Sequence, residues 1–202
     1  MMQFNTRVRS RTLFAAALVM LGVRKRTVRH RTLDASNAIL YRMAAGVPGD
    51  VTRSAMGLTV EPQIITTAGQ ANAPAAYGIG VLLDATTGKV RQPTAGDTAI
   101  YGILVRPFPI QGQTPNEPLG TNTPPVQGTC DVLRRGYIAA LVSGVTGATK
   151  NGPVYCRTVA AANRPVGAFE AAADGGNSFL VPNAFWMGPA DANGISEIAY
   201  NI

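Results

Sequence analysis

The sequence predicts an all-β fold, a β-sandwich or jelly roll carrying a basic N-terminal arm. Three observations predict it. Strand-length apolar runs alternate with turn signals through most of the 202 residues, and most regularly between Asn151 and Ile202. The turn signals are of the kinds that reverse a chain: Gly supplies positive φ, Pro fixes φ, and Asn and Asp bond their own backbone. The last residues, Ser196 to Ile202, alternate apolar and polar and so read as a strand tied into a sheet.

Residues 1–36 are compositionally foreign to the rest. Leu13 to Val23 is an apolar run of eleven between arginines. A bilayer span needs about twenty apolar residues, so this run is too short to cross. A basic front and apolar middle also belong to secretory signals. Here Arg24-Lys25-Arg26 stands where a small-residue cleavage site belongs. Ala, Leu and Met favour a short helix. Three readings stand: an arm that lies on a partner's acidic surface, an upstream extension from a start codon placed too early (the functional chain beginning near Ile39), and a signal or anchor.

From Asn37 to Ile202 a single β domain is expected. Val47-Pro48-Gly49-Asp50 is a turn. Leu58 to Thr67 is strand material, with Pro62 marking an edge or a break because proline gives no N–H to a ladder. Ala68 to Ala76 is a loop. Tyr77–Leu83 and Lys89-Val90 flank Asp84-Ala85-Thr86-Thr87-Gly88, a five-residue hairpin connection. Ala99 to Val105 is the strongest strand of this half. Residues 107–128 hold six of the fourteen prolines and no periodic pattern. A loop of that length is a contact segment or a surface excursion, and its prolines reduce the entropy cost of ordering it on a partner. Pro115 and Pro118 are its contact candidates.

After Thr129 strands resume. Cys130 to Leu133 leads to Arg134-Arg135, and Gly136 to Ser143 forms a strand. Pairing restarts at Val154 to Arg157. The alanine triplets at 160–162 and 171–173 are too short and too close to turns for helices. The turns are Asn151-Gly152-Pro153, Asn163-Arg164-Pro165, Asp174-Gly175-Gly176-Asn177 and Asp191-Ala192-Asn193-Gly194.

Charge is unevenly placed. The net +7 of the chain sits in residues 1–36, where Arg7, Arg9, Arg11, Arg24, Lys25, Arg26, Arg29 and Arg31 face one acid, Asp34. Residues 37–202 hold ten basic and ten acidic side chains. Basicity therefore describes the arm, and a nucleic-acid reading rests on it alone. Charged residues make up 14% of the chain, below the usual quarter, which suits lasting contact with neighbours. The two cysteines, Cys130 and Cys156, are expected as reduced, partly buried thiols.

No motif supports catalysis. His30, the single histidine, lies in the arm, which leaves the β domain without a histidine for a catalytic dyad or metal cluster. Gly78-Ile79-Gly80 lacks the third glycine of a dinucleotide loop, and Gly88-Lys89 lacks the Ser or Thr of a phosphate loop. Asp84, Asp97, Asp131, Asp174 and Asp191 neighbour turn residues and read as backbone caps. Arg134-Arg135 beside Tyr137 reads as a small basic patch or as two side chains pointing to opposite faces of a sheet. Phe179, Phe185 and Trp186 read as core, with Trp186 the alternative interface anchor.

The segments GPVYCRTV, PVGAFEAAADGGNSFLVPNAFWMGPADANG and EIAYNI, together with LYRMAAGVPGDVTR at Leu40–Arg53, resemble the structural cement proteins of tailed phages. The resemblance covers residues 39–202. It implies a jelly-roll-like capsid decoration protein that binds the major capsid protein lattice and stabilises the shell. It further implies a homo-oligomer on the capsid surface of the virion, made in the host cytoplasm. No cofactor, small-molecule substrate or membrane is expected. The alternatives are nucleic-acid binding through the arm and a host- or glycan-binding β module.

Overall fold

The computed structural model describes residues 46–53, 57–65, 72–107, 123–124 and 128–202. The described residues are all-β, with ten strands and one 3-10 turn, Gly175–Asn177. The strands are β1 Val51–Arg53, β2 Thr59–Ile65, β3 Gly80–Leu83, β4 Val90–Arg91 and β5 Gly102–Val105. They continue with β6 Gly128–Ser143, β7 Pro153–Arg157, β8 Phe169–Glu170, β9 Ser178–Trp186 and β10 Ile195–Tyr200.

Everything is organised on β6, which runs 16 residues. Its first half pairs with β2 on one edge and β5 on the other. From there β2 meets β4 in parallel, β4 meets β3, and β3 meets β5, so five strands close into a mixed barrel. The second half of β6 pairs with β10. Then β10 meets β9, β9 meets β7, β7 meets β8, and β8 returns to β6 in parallel. The pairings thus close a second five-membered ring on the same strand. β1 lies on β6 at Tyr137 and Ile138, opposite the edge that β10 occupies. The expected fold class holds. The expected sandwich or jelly roll of two facing sheets is replaced by closed rings, because β6 is paired along both edges and each ring includes one parallel contact. Closure removes the exposed edges that an open sheet presents.

Each ring has its own core. Ile65, Val81, Val90, Leu104, Cys130 and Val132 fill the first. Val154, Cys156, Phe169, Val181, Trp186 and Ile198 fill the second, and Ile103 and Leu133 join it from strands of the first ring. Val132 and Leu133 are adjacent, hence on opposite faces of β6, and they belong to different cores. One strand is therefore the common wall of two cores. The sequence expectation had split β6 at Arg134-Arg135. The structure runs the strand through them with a bulge, where β2 skips from Arg135 to Leu133. Gly136 completes the irregularity at φ +140°, a conformation that side chains rarely adopt.

The other expected elements fall as follows. β3 and β4 form the predicted hairpin, with Leu83 opposite Val90. Asp84 Oδ1 accepts from the Thr86 and Thr87 amides and closes its turn. Pro62 lies inside β2, which among the described residues has β4 on its other edge only at Ile65. The missing N–H of Pro62 thus leaves no gap in a second ladder. Neither alanine triplet is helical. The terminal strand is tied in on both sides, to β6 and to β9.

Two outcomes follow from this packing. A Cβ at Gly102 would lie 2.5 Å from Leu133 O and from Val132 Cγ1, where β5 crosses β6. Gly102→Ala should lower unfolding stability by about 1–3 kcal/mol, measured by denaturant titration, since backbone there has no room to retreat. Cys130 and Cys156 are free and buried, and burial pushes the Cys130 thiol up to about 12 and raises that of Cys156 as well. A thiol reagent at neutral pH should label neither in the native protein and both after denaturation.

Candidate functional site

Most described arginines of the β domain are paired with carboxylates. Arg157, at the end of β7, points inward and donates through Nη1 to Glu170 Oε1 at 2.8 Å and Asp174 Oδ2 at 2.6 Å. Arg164 reaches the same two carboxylates from the neighbouring loop at 3.3 and 3.4 Å. The side chains of Arg157 and Glu170 are each only 3% exposed. Losing one member of such a buried pair typically costs about 3–5 kcal/mol, because a bare charge remains. This network ties the segment 164–174, which contains β8, to β7. It borders a cavity of about 100 Å³ between Ser143–Thr146 and Glu170–Asp174. A paired-carboxylate active site needs a carboxylate free to move a proton. Here both carboxylates are held by guanidinium groups, which makes the cluster a clamp.

A second clamp holds the turn between β4 and β5. Arg91 donates to both Asp97 oxygens at 2.8 and 3.1 Å, and Asp97 Oδ2 also accepts from the Thr94 amide at 2.7 Å. These bonds favour the ionised form, Arg91 first, and hold the Asp97 carboxyl down to about 2. Among the described residues no group of three or more His, Cys, Asp and Glu side chains could hold a metal, and no helix is long and apolar enough to cross a membrane.

The residues singled out in the sequence are distributed as follows. Arg7, Arg9, Arg11, Arg24, Lys25, Arg26, Pro115 and Pro118 lie outside the described residues. Arg134 and Arg135 occupy the bulge of β6 rather than a strand start. Arg134 stacks its guanidinium 3.7 Å from the Tyr101 ring centre and lies 3.7 Å from Glu61, while Arg135 is exposed. Trp186 is fully buried in the second core, so the core reading holds and the anchor reading does not. Its indole Nε1 has no hydrogen-bond partner among the described residues. Of the five aspartates read as caps, Asp84, Asp97 and Asp191 accept turn amides. Asp174 instead pairs with arginines, and Asp131 lies within β6 opposite Pro62.

The sequence reading missed an outer surface. Phe185 is 49% exposed and Leu180 53%. They point outward together although an odd number of positions separates them. Asn183, at φ +57°, lies between them where β9 carries four residues against the single Val154 of β7, an odd surplus that reverses the parity of the strand. Phe185 lies opposite Pro153 on β7 and opposite Ala199 on β10, and Ala199 lies opposite Tyr137 on β6. Leu180 lies opposite Tyr155. At the far end Arg53 stacks 4.5 Å from the Tyr137 ring centre and pairs with Glu197. The sequence signal for this surface was the Pro-Asn step inside an alternating strand, which is a bulge signature.

The Arg91–Asp97 clamp has a pH signature. The folded carboxyl titrates near 2 against an ordinary 3.8, so its stabilisation is complete above pH 3.8 and is lost as pH falls through 2. Asp97→Asn should therefore unfold more easily than the parent at pH 7, by about 1–2 kcal/mol, with the difference vanishing near pH 2. Thermal unfolding across that range would measure it.

Comparison with known proteins places the chain. The model of the XM1 gp53 minor capsid protein family matches residues 36–200. Among solved structures, a chain from the capsid of Myoviridae phage XM1 is 20% identical, with a TM-score of 0.60 over 82% of this chain and 96% of that one. At that identity the likeness shows the fold. No curated protein matches. The family match takes in every described strand, and with it the chain belongs to the XM1 gp53 minor capsid protein family: a structural, non-enzymatic component of the virion capsid.

Proposed function

We propose that the protein is a cement, or decoration, protein that binds the major capsid protein lattice and stabilises the shell. The observation that carries this reading is the family match across residues 36–200, which covers the whole double-ring body. The character of that body supports it. Several of its charges are paired internally, in the Arg157 and Arg91 clamps. Its thiols are buried, and its strands close on themselves. Such a body keeps its shape while its outer surface binds.

The mechanism is linkage. A ligand that binds only the assembled shell stabilises it by its own binding free energy, about 2.7 kcal/mol per site at a hundredfold excess over the dissociation constant. Repetition over many sites adds these increments. The basic arm, with Arg7, Arg9, Arg11, Arg24, Lys25 and Arg26, would add salt-dependent attraction to acidic capsid surface. The Pro-rich segment 107–128, with Pro115 and Pro118, would dock at low entropy cost. Arg135, exposed at the β6 bulge, is a further contact candidate.

The test compares particles with and without the protein for heat-induced genome release. Saturated particles should release at a higher temperature. Equal release temperatures at saturation would reject the cement role and leave a host-binding module as the reading to pursue.

A further inference from the structure

We propose that the outer row of β7, β9 and β10, centred on Phe185 and Leu180, is the surface on which an uncharged apolar face of the neighbouring major capsid protein seats. This inference rests on the shell-binding reading and says where the binding energy is concentrated.

Residues opposed by strand register run in a line across the second ring: Pro153, Phe185, Ala199 and Tyr137. Leu180 and Tyr155 form a second opposed pair beside it. Directly opposed aromatic and apolar side chains in a sheet hold one another in place, so the surface is preformed. Phe185 and Leu180 remain about half exposed and Pro153 is exposed, while Tyr137 and Tyr155 are half-buried and Ala199 is buried as the floor between Phe185 and Tyr137. An aromatic fixed at the centre of a ring of small and apolar neighbours is the arrangement that concentrates binding energy at interfaces. Asn183 makes this surface. Without the odd surplus of residues around it, β9 would turn either Leu180 or Phe185 inward.

Charge and composition name the occupant. From Pro153 to Tyr137 the row carries no charged side chain, and the arginine at its end, Arg53, is neutralised by Glu197. The complement therefore carries no net charge and is apolar, since a buried unpaired charge there would be costly. The chain belongs to a minor capsid protein family, and the counterpart of a minor capsid protein in a shell is the major one. Contact through this row gains little from electrostatics. It should persist at salt concentrations that screen the basic arm.

The experiment measures binding of the full chain to shells assembled without it, by co-sedimentation at low and at high salt. The variants are Phe185→Ser, Phe185→Leu and Leu180→Gln, with Val145→Ser as the control. Val145 is fully exposed in the turn after β6, beside the Glu170–Asp174 cavity and outside the row's register pairs. Thermal midpoints establish that each variant is folded. Phe185→Ser and Leu180→Gln should weaken binding at least tenfold at high salt, while Phe185→Leu and Val145→Ser bind within about twofold of the parent. Parental binding by both polar variants would overturn the inference while leaving shell binding intact. If the parent chain itself does not bind shells, the cement reading fails and takes this inference with it. Sedimentation of the free protein covers the remaining occupant. Loss of self-association in the polar variants with shell binding unchanged would assign the row to a second copy and overturn the proposal.

Discussion

The fold depends on one strand being paired along both edges and packed on both faces. β6 gives β2 and β5 their partner in its first half, β10 and β8 theirs in its second, and β1 a place beside Ile138. Its side chains alternate between two cores, with Val132 in one and Leu133 in the other. A strand in that position cannot shift register by one residue without exchanging both apolar sets at once. The bulge at Arg134–Gly136 fixes the register further, because Gly136 is the one glycine in the interior of the strand and takes φ +140° there without strain. Other elements are short by comparison, two residues in β4 and two in β8. They are held by the ring they complete.

What was legible in the sequence follows from the range over which each interaction acts. Turns are local. Asp84 closing its own hairpin, Asp191 holding Asn193 and Ile195, and the positive-φ asparagines at 151 and 163 are all decided within a few residues. They were readable, and with them the all-β class. Ring closure is decided by pairing between distant segments, such as Ile65 beside Val90 or Val142 beside Phe169. No local pattern announces a parallel contact of one or two residue pairs. The Arg134-Arg135 pair misled for the same reason. Two adjacent arginines look like the end of a strand, but a bulge lets both face outward from the middle of one. There Arg134 rests on Tyr101, a residue more than thirty positions earlier.

The surface was less legible than the fold. Trp186 drew attention because tryptophan is large and rare, yet alternation resumed at Ala184 directs it into the core. Its neighbour Phe185 takes the outward position. Choosing between adjacent aromatics requires the parity of the strand, and Asn183 changes that parity partway along. The acidic side chains were overread as caps for a related reason. Asp174 follows a turn pattern locally, but two arginines from other segments reach it first.

The length of β6 has a mechanical consequence. Sixteen extended residues span about 50 Å, a strut through the whole body rather than a segment of one layer. Tension applied along it is shared by every ladder on both of its edges at the same time. Those hydrogen bonds lie across the pull and must fail together, in shear, instead of opening one after another like a zipper. The two rings accordingly resist stretching as one piece.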